Sequence, residues 1–167
     1  YNLQVSDPLR FLIRQKAVPN ALTNPLIDPT QPVLPSLYYA ARIAIEWQDP
    51  SSWAKKAYSE KNDIAAIHAL LGLARSDLKG SLAPILKRLT QVDFTKLDKT
   101  GKLALLRTYG VTMSRGGRPD ETLVKAVGSH LDPHFPAEDD NLNEELCRVL
   151  SYLQHPSVVD KTVALMK

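Results

Sequence analysis

The stretch 141–167 constrains the fold most, because it combines a helix, a sharp break and a second helix. Pro156 cannot continue the first helix, since its ring removes a hydrogen-bond donor and clashes with the preceding turn, but it suits the start of the next one. A helix pair this short cannot bury its own apolar surface and needs neighbours of the same kind. The first helix has one apolar face, at Leu142, Leu146, Val149, Leu150 and Leu153.

Asn141 or Asn143 is expected to cap this first helix, with acidic residues in its first turn favoured by the helix dipole. The second helix carries another apolar stripe, at Val158, Val159, Val163 and Met166. We expect one face of the second helix to lack a cover within the chain, which would leave Val158, Leu165 and Met166 partly exposed.

The same pattern recurs upstream, with a break at Asp49-Pro50, Asp77, Pro119-Asp120 or Pro156 in each unit. The spacing of the units is near the ~40 residues typical of HEAT and armadillo repeats. No segment alternates with period two, so no significant sheet is expected. The sequence therefore predicts an all-α, right-handed α-α superhelix of HEAT or armadillo type. Its predicted units are 36–58, 62–90, 98–131 and 141–167.

Residues 1–35 are predicted to form a separate N-terminal part that precedes the repeat domain at 36–167. Ser6-Asp7-Pro8 is a helix start, and the proline-rich segment 21–34 predicts a long loop, partly in the polyproline II conformation. Loops of this length are uncommon in compact domains and are often functional or inserted.

Composition narrows the class of protein. The chain has 167 residues, of which 44% are hydrophobic and 23% charged, as in ordinary globular domains. Cys147 is the only cysteine, which excludes an internal disulfide. No apolar run approaches the roughly 20 residues that a membrane span needs. The net charge of +3 is too small to indicate nucleic-acid binding by itself. Since the chain begins at Tyr1 and stops where a repeat ends, we expect a piece of a larger protein.

Four stretches of segment 36–167 form an ordered set of weak motifs: YAARIA at 39–44 with Glu46 and Trp53, ALLGLAR at 69–75, LDPHFP at 131–136, and Leu142-Asn143 with Glu145-Leu146-Cys147. In these stretches the segment resembles the helical-repeat region of large bacterial multidomain proteins. In that family the region lies between a sugar-dehydrogenase-like β-propeller and a c-type haem-binding domain. The resemblance implies a HEAT-type α-solenoid and an extracytoplasmic, periplasmic location, and it carries over no catalytic residue. The family's Cys-x-x-Cys-His haem attachment is absent from this sequence.

Basic residues recur on the second helices of the predicted pairs, which line the concave side of a HEAT solenoid. Such a stripe could follow a nucleic-acid backbone or an acidic partner, although it also fits a solvated helix face. No aromatic residues alternate with it, so single-strand binding gains no support. The residues are Lys55, Lys56, Lys87, Arg88, Lys125 and Lys161.

A second candidate is an anion site at Arg115, Gly116, Gly117 and Arg118, where backbone amides and two arginines could cradle a phosphate. The stretch lacks the spacing of any phosphate-loop motif, and Gly116 as a helix C-cap explains it without a ligand.

The histidines and the cysteine suggest no chemistry. His68, His130, His134 and His155 form no pair at metal-ligand spacing, which favours structural or solvated roles for all four. His134 is expected to join the hydrogen bonding of the corner at 132–136. Cys147 has no neighbouring base in the sequence, which indicates a structural thiol rather than a nucleophile. Trp47, Trp53, Tyr38, Tyr39 and Tyr58 cluster in the first unit, where they could form an interaction patch or part of the core.

Three functions remain open. The leading hypothesis is a non-catalytic scaffold that binds a protein partner or other domains of its parent chain, with no cofactor, metal or small-molecule substrate. The second is a nucleic-acid-binding HEAT-repeat protein that uses a basic concave face. The third, supported only by the resemblance, is a docking segment of a haem-linked dehydrogenase-like protein.

Overall fold

The computed structural model describes residues 42–76 and 80–166, and this part of the chain is all-helical, with no strand. Short 3₁₀ turns at Pro50–Ser52, Phe94–Lys96 and Asp132–His134 separate some of the α-helices. The described α-helices are α1 (42–46), α2 (Ala54–Ser59), α3 (Asp63–Ser76), α4 (Leu82–Leu89), α5 (Lys99–Gly116), α6 (Glu121–Leu131), α7 (Asp140–Tyr152) and α8 (Val158–Leu165).

Several predictions of element position concern the described residues. The breaks predicted at Asp49-Pro50, Pro119-Asp120 and Pro156 each fall between consecutive α-helices, which confirms them. Pro84 lies in the first turn of α4, where a proline costs no intrahelical hydrogen bond. The predicted N-terminal helix, the proline-rich loop, the boundary at residue 35 and the turn at Asp77 lie outside the described residues.

Side-chain caps begin four of the helices. Asn62 accepts the Ala65 N–H at 3.0 Å at the start of α3. Asp98 accepts the Gly101 N–H at 2.8 Å, and Asp120 accepts the Leu123 N–H at 2.9 Å. Each of these caps satisfies a donor that the first turn of a helix cannot pair internally.

The predicted cap of α7 is wrong. Asp139, rather than Asn141 or Asn143, accepts the Leu142 N–H, at 3.2 Å. The Asn143 side chain instead folds back onto Ala137, accepting its N–H at 2.6 Å and donating to its carbonyl at 2.8 Å. Asn143 therefore ties α7 to the corner that precedes it.

The helices pack in two rows. The first helices of the predicted pairs form the first-helix row, in which α3 contacts α5 and α5 contacts α7. The second helices form the second-helix row, in which α2 contacts α4 and α4 contacts α6. One hydrophobic core fills the space between the rows. Its largest fully buried side chains are Ile67, Leu70, Leu73, Ile85, Leu86, Leu89, Leu105, Leu106, Tyr109, Met113, Leu131 and Leu146.

The corner between α6 and α7 packs through aromatic rings. The ring of His134 stacks on Phe94, with the ring centroids 4.3 Å apart. The sequence predicted hydrogen bonding for His134, whereas the contact that the structure gives it is this stacking, which ties the corner to the turn before α5. Burial, followed by electrostatic coupling to His130 and to the Lys102 ammonium, lowers the pKa of His134 against an opposing effect of Asp93.

Within residues 42–76 and 80–166, no helix combines the length and the hydrophobicity that a membrane crossing requires.

Candidate interaction surface

Helix α8 attaches to the rest of the molecule largely through polar groups. The Lys161 ammonium donates to the Asp132 carbonyl at 2.8 Å and to the Asp132 carboxylate at 2.7 Å. The Thr162 hydroxyl lies 3.5 Å from the Cys147 sulfur on α7 and donates to the Val158 carbonyl at 2.7 Å. Val158 is the one apolar side chain of α8 that is buried.

Asp132 is the centre of this attachment. The Ser157 hydroxyl donates its single proton to the Asp132 carboxylate, so the Ser157 oxygen must accept from His155 Nδ1, 2.9 Å away. Burial acts to raise the pKa of Asp132. This effect is outweighed by hydrogen bonds from Lys161 and Ser157 and by electrostatic attraction to Lys161 and His155. The pKa of Asp132 therefore lies below its ordinary value, which keeps the carboxylate ionised.

The opposite face of α8 is apolar and exposed. Val159, Val163 and Met166 follow one another at i, i+4 and i+7, with exposed fractions of 66%, 50% and 82%. Leu165 is 47% exposed. The exposure predicted for Leu165 and Met166 is confirmed, whereas the prediction for Val158 is wrong because this residue packs into the core at 7% exposure. We call Val159, Val163, Leu165 and Met166 the α8 apolar face.

Four of the six predicted basic surface residues lie on the solvent side of the second-helix row. Lys55 and Lys56 are exposed on α2, Lys87 is exposed on α4, and Lys125 is exposed on α6. We call these four residues the lysine row. Among the described residues, none of the four has a carboxylate partner within salt-bridge distance.

The other two basic residues do not belong to that surface. Arg88 is buried, donating to Asp63 at 2.9 Å and to the Glu60 carbonyl at 2.7 Å, so it ties α4 to the start of α3. Lys161 is held by Asp132 and faces the corner rather than the lysine row. Helical position alone predicts neither contact, because the partners lie more than twenty residues away.

The stretch predicted as an anion site forms the end of α5. Gly117, with φ 82°, is the C-cap, and its N–H donates to the Met113 carbonyl at 2.8 Å. The C-cap is thus Gly117 and not Gly116, the last residue of the helix. Arg118 pairs with Glu121 at 3.5 Å. Arg115 is exposed and has no ion pair in the described part of the chain, so the arrangement brings together no pair of free arginines.

His68 and His130 lie in separate parts of the fold. His130 donates from Nε2 to the Val92 carbonyl at 2.9 Å, so its Nδ1 accepts the Tyr109 hydroxyl proton at 3.0 Å. Burial lowers the pKa of His130, against opposing effects of Val92 and Asp93, and raises the pKa of Tyr109 well above its ordinary value. Burial, together with the charge of Arg42, lowers the pKa of His68 to about 4.

No candidate metal centre is present in the described ranges, where no three or more His, Cys, Asp or Glu side chains are grouped to hold an ion. Cys147 is half-buried between Ser151 and Thr162, with oxygen atoms 3.8 and 3.5 Å from its sulfur. The predicted aromatic cluster divides. Trp47 is 82% exposed, whereas Trp53 packs against the core.

Comparison with protein-family models, curated proteins and solved structures finds no match to this chain.

Proposed function

We propose that the chain is a non-catalytic scaffold segment built as a HEAT-type α-solenoid, which binds the apolar side of a further helix pair. That pair would belong to a partner protein or to another domain of the parent chain. The observation that carries the proposal is the α8 apolar face, where the exposed stripe has the spacing that the other helices use to pack against one another.

The packing of the rows supports a repeat array. First helices contact first helices among α3, α5 and α7, and second helices contact second helices among α2, α4 and α6, as expected when similar pairs are stacked along one axis. In such an array each pair covers the apolar side of the one before it. A further pair packed on α8 would cover Val159, Val163 and Met166, and full burial of such side chains stabilises by about 1.5–3 kcal/mol each.

The composition of α8 indicates that its exposed face is covered by a further helix pair rather than by water. An exposed second helix with no partner is expected to show polar residues, as α6 does with Thr122, Lys125 and Ser129. Single exposed apolar residues need no explanation, but a run of them along one helix marks an interaction site.

The test uses the whole chain and an environment-sensitive dye. The wild-type protein should bind anilinonaphthalene sulfonate at the α8 apolar face, and Val163→Glu should abolish most of the fluorescence increase while circular dichroism stays unchanged. The matched control is Ser129→Glu, which places the same charge on the exposed face of α6 and should leave dye binding intact.

Sedimentation velocity provides a second test of the proposal. The wild-type chain should self-associate weakly as concentration rises, because two α8 faces can cover each other, and Val163→Glu should sediment as a monomer. Equal dye binding and equal sedimentation by wild type, Val163→Glu and Ser129→Glu would contradict the proposal. So would hydrolytic or redox turnover by the purified chain.

A further inference from the structure

We infer that the lysine row binds an acidic helix of a partner protein, laid across α2, α4 and α6. The inference rests on the proposed scaffold function and adds the chemistry of a partner at a second surface. It begins from the fact that the three helices lie side by side, with α4 in contact with both neighbours. Their solvent faces therefore form one continuous surface.

Lysines dominate the charge of this surface. Lys87 is the only exposed residue of α4, so the solvent side of that helix is defined by an ammonium group. Neither α2 nor α4 contains an acidic residue. The lysines of α2 and α4 therefore have no compensating carboxylate on their own helices, whereas α6 carries Glu121 in its first turn.

The acidic residues that flank the row are already engaged. Glu60 accepts the Asn62 N–H at 2.8 Å, and Asp63 accepts from the buried Arg88 at 2.9 Å. Asp120 caps α6 through the Leu123 N–H at 2.9 Å, and Glu121 pairs with Arg118 at 3.5 Å. None of these carboxylates is within salt-bridge distance of a lysine of the row, so the four ammonium groups are available to a molecule outside the described chain.

The spacing of the lysine-bearing helices distinguishes an acidic helix from a nucleic acid as the partner. Packed helices lie about 8–10 Å apart, so the row offers roughly one lysine-bearing helix per 8–10 Å. Residues seven apart on a helix lie about 10.5 Å apart along its axis, and they project from nearly the same side. A helix with carboxylates two turns apart can therefore match one carboxylate to each of α2, α4 and α6.

Duplex nucleic acid fits less well. It presents one negative charge per ~1.7 Å of axis, which is roughly six charges for each step of the row. Arginine forms the bidentate phosphate contacts that lysine cannot, and Arg88, the one arginine on α2, α4 or α6, is buried against Asp63. Those three helices also expose no aromatic side chain on which a base could stack.

The experiment measures binding of a fluorescent, alanine-rich helical peptide with Glu at every seventh position to the full chain, by anisotropy at low and moderate salt. A peptide of the same composition with its Glu residues off that spacing is the first control. We expect the regular peptide to bind more tightly than the scrambled one, with affinity that falls as salt rises.

Charge reversal locates the site. Lys56→Glu with Lys87→Glu should weaken binding of the regular peptide by roughly tenfold or more. Arg107→Glu with Arg115→Glu on α5 changes the net charge equally and should leave the affinity nearly unchanged, since both arginines are exposed outside the row.

Four outcomes would overturn the inference: no binding at low salt, equal binding of both peptides, equal weakening by the two double variants, or tight binding of a DNA duplex in preference to the regular peptide. Dye binding at α8 is independent of salt bridges at the row. If the peptide fails to bind but the dye still binds at α8, the acidic-helix inference is wrong and the scaffold proposal is unaffected. If the peptide binds as expected but the dye does not bind at α8, the scaffold proposal alone is rejected.

Discussion

Helices α6 and α8 are the second helices of neighbouring pairs, yet their polarity is reversed. Helix α6 buries Leu123, Val127 and Leu131 and exposes polar side chains. Helix α8 turns Lys161 and Thr162 inward and exposes Val159 and Val163. The contrast indicates that burial within the chain determines the orientation of α6, whereas polar anchors determine that of α8 and leave its apolar residues exposed.

The largest expected effect is a difference in the free energy of unfolding between truncations on α6 and on α8. Leu131→Ala on α6 should lower the free energy of unfolding by about 2–5 kcal/mol, because it opens a cavity in a closely packed core. Val163→Ala on α8 should change it by less than about 0.5 kcal/mol, because half of that side chain is already exposed. Chemical denaturation of both variants checks the pair. Similar losses would show that the α8 face is covered within the chain, which would break the comparison.

A smaller effect is expected where the polar anchor of α8 is weakened. Asp132→Asn keeps the shape of the side chain but removes the charge that holds Lys161 and orders Ser157. The Asp132 and Lys161 side chains are 26% and 28% exposed, so the contact falls between a surface pair and a buried one. Local detachment of α8 should become easier by about 1–2 kcal/mol, while the core stays intact.

Cys147 reports this detachment, since Thr162 lies against its sulfur and it is the only cysteine. The thiol of Asp132→Asn should react with a disulfide reagent roughly 5- to 30-fold faster than in the wild type. Asp160→Asn, a change of the same type at an exposed position of α8, is the control and should react at the wild-type rate. Unchanged reactivity of Asp132→Asn would show that apolar contacts, not the corner, hold α8.

The sequence predicted α6 well and α8 incompletely, for a physical reason. Periodicity shows that a helix has an apolar stripe, and on α6 the buried face consists of Leu123, Val127 and Leu131. On α8 the stripe is equally visible, but which side faces the chain is decided by Asp132, which lies in a different turn of the fold.

The candidate surface was likewise only partly predictable. Exposed lysines at 55, 56, 87 and 125 follow from helical pattern, because a lysine without a partner remains in water. The burial of Arg88 depends on the Glu60 carbonyl and Asp63, contacts that no local pattern encodes. The cap of α7 was missed because Asp139 begins the helix two residues before the first candidate asparagine.

A pH titration sharpens the comparison further, because α6 carries a half-buried imidazole and α8 has no histidine. The pKa of His130 is lowered from 6.5 in the folded protein, so the unfolded chain binds the proton more readily. Its contribution to stability is therefore full above pH 6.5 and is lost as the pH falls towards the lower folded value. His68, with a pKa of about 4, acts in the same direction.

The variant His130→Gln should reduce the loss of stability between pH 7 and pH 5 by up to about 1 kcal/mol, since one titrating group is removed. Denaturant midpoints at the two pH values measure the change. The control is His155→Gln, at a half-buried position in the link before α8. An identical pH dependence in wild type and His130→Gln would show that protonation of His130 is not linked to folding.

The last expected effect lies where α6 meets the link that precedes α8. A Cβ on Gly128 of α6 would come within 2.7 Å of the His155 ring, so Gly128→Ala must displace that ring from Ser157. The strain, about 1–3 kcal/mol, is partly offset by the gain of about 1 kcal/mol from replacing glycine in a helix. A net loss of about 0–2 kcal/mol should result.

In the background of His155→Ala the clash disappears, so Gly128→Ala should there stabilise the protein by up to about 1 kcal/mol. A double-mutant cycle by chemical denaturation measures this coupling. If Gly128→Ala has the same effect in both backgrounds, the ring of His155 does not rest on α6, and α8 is held by Asp132 alone.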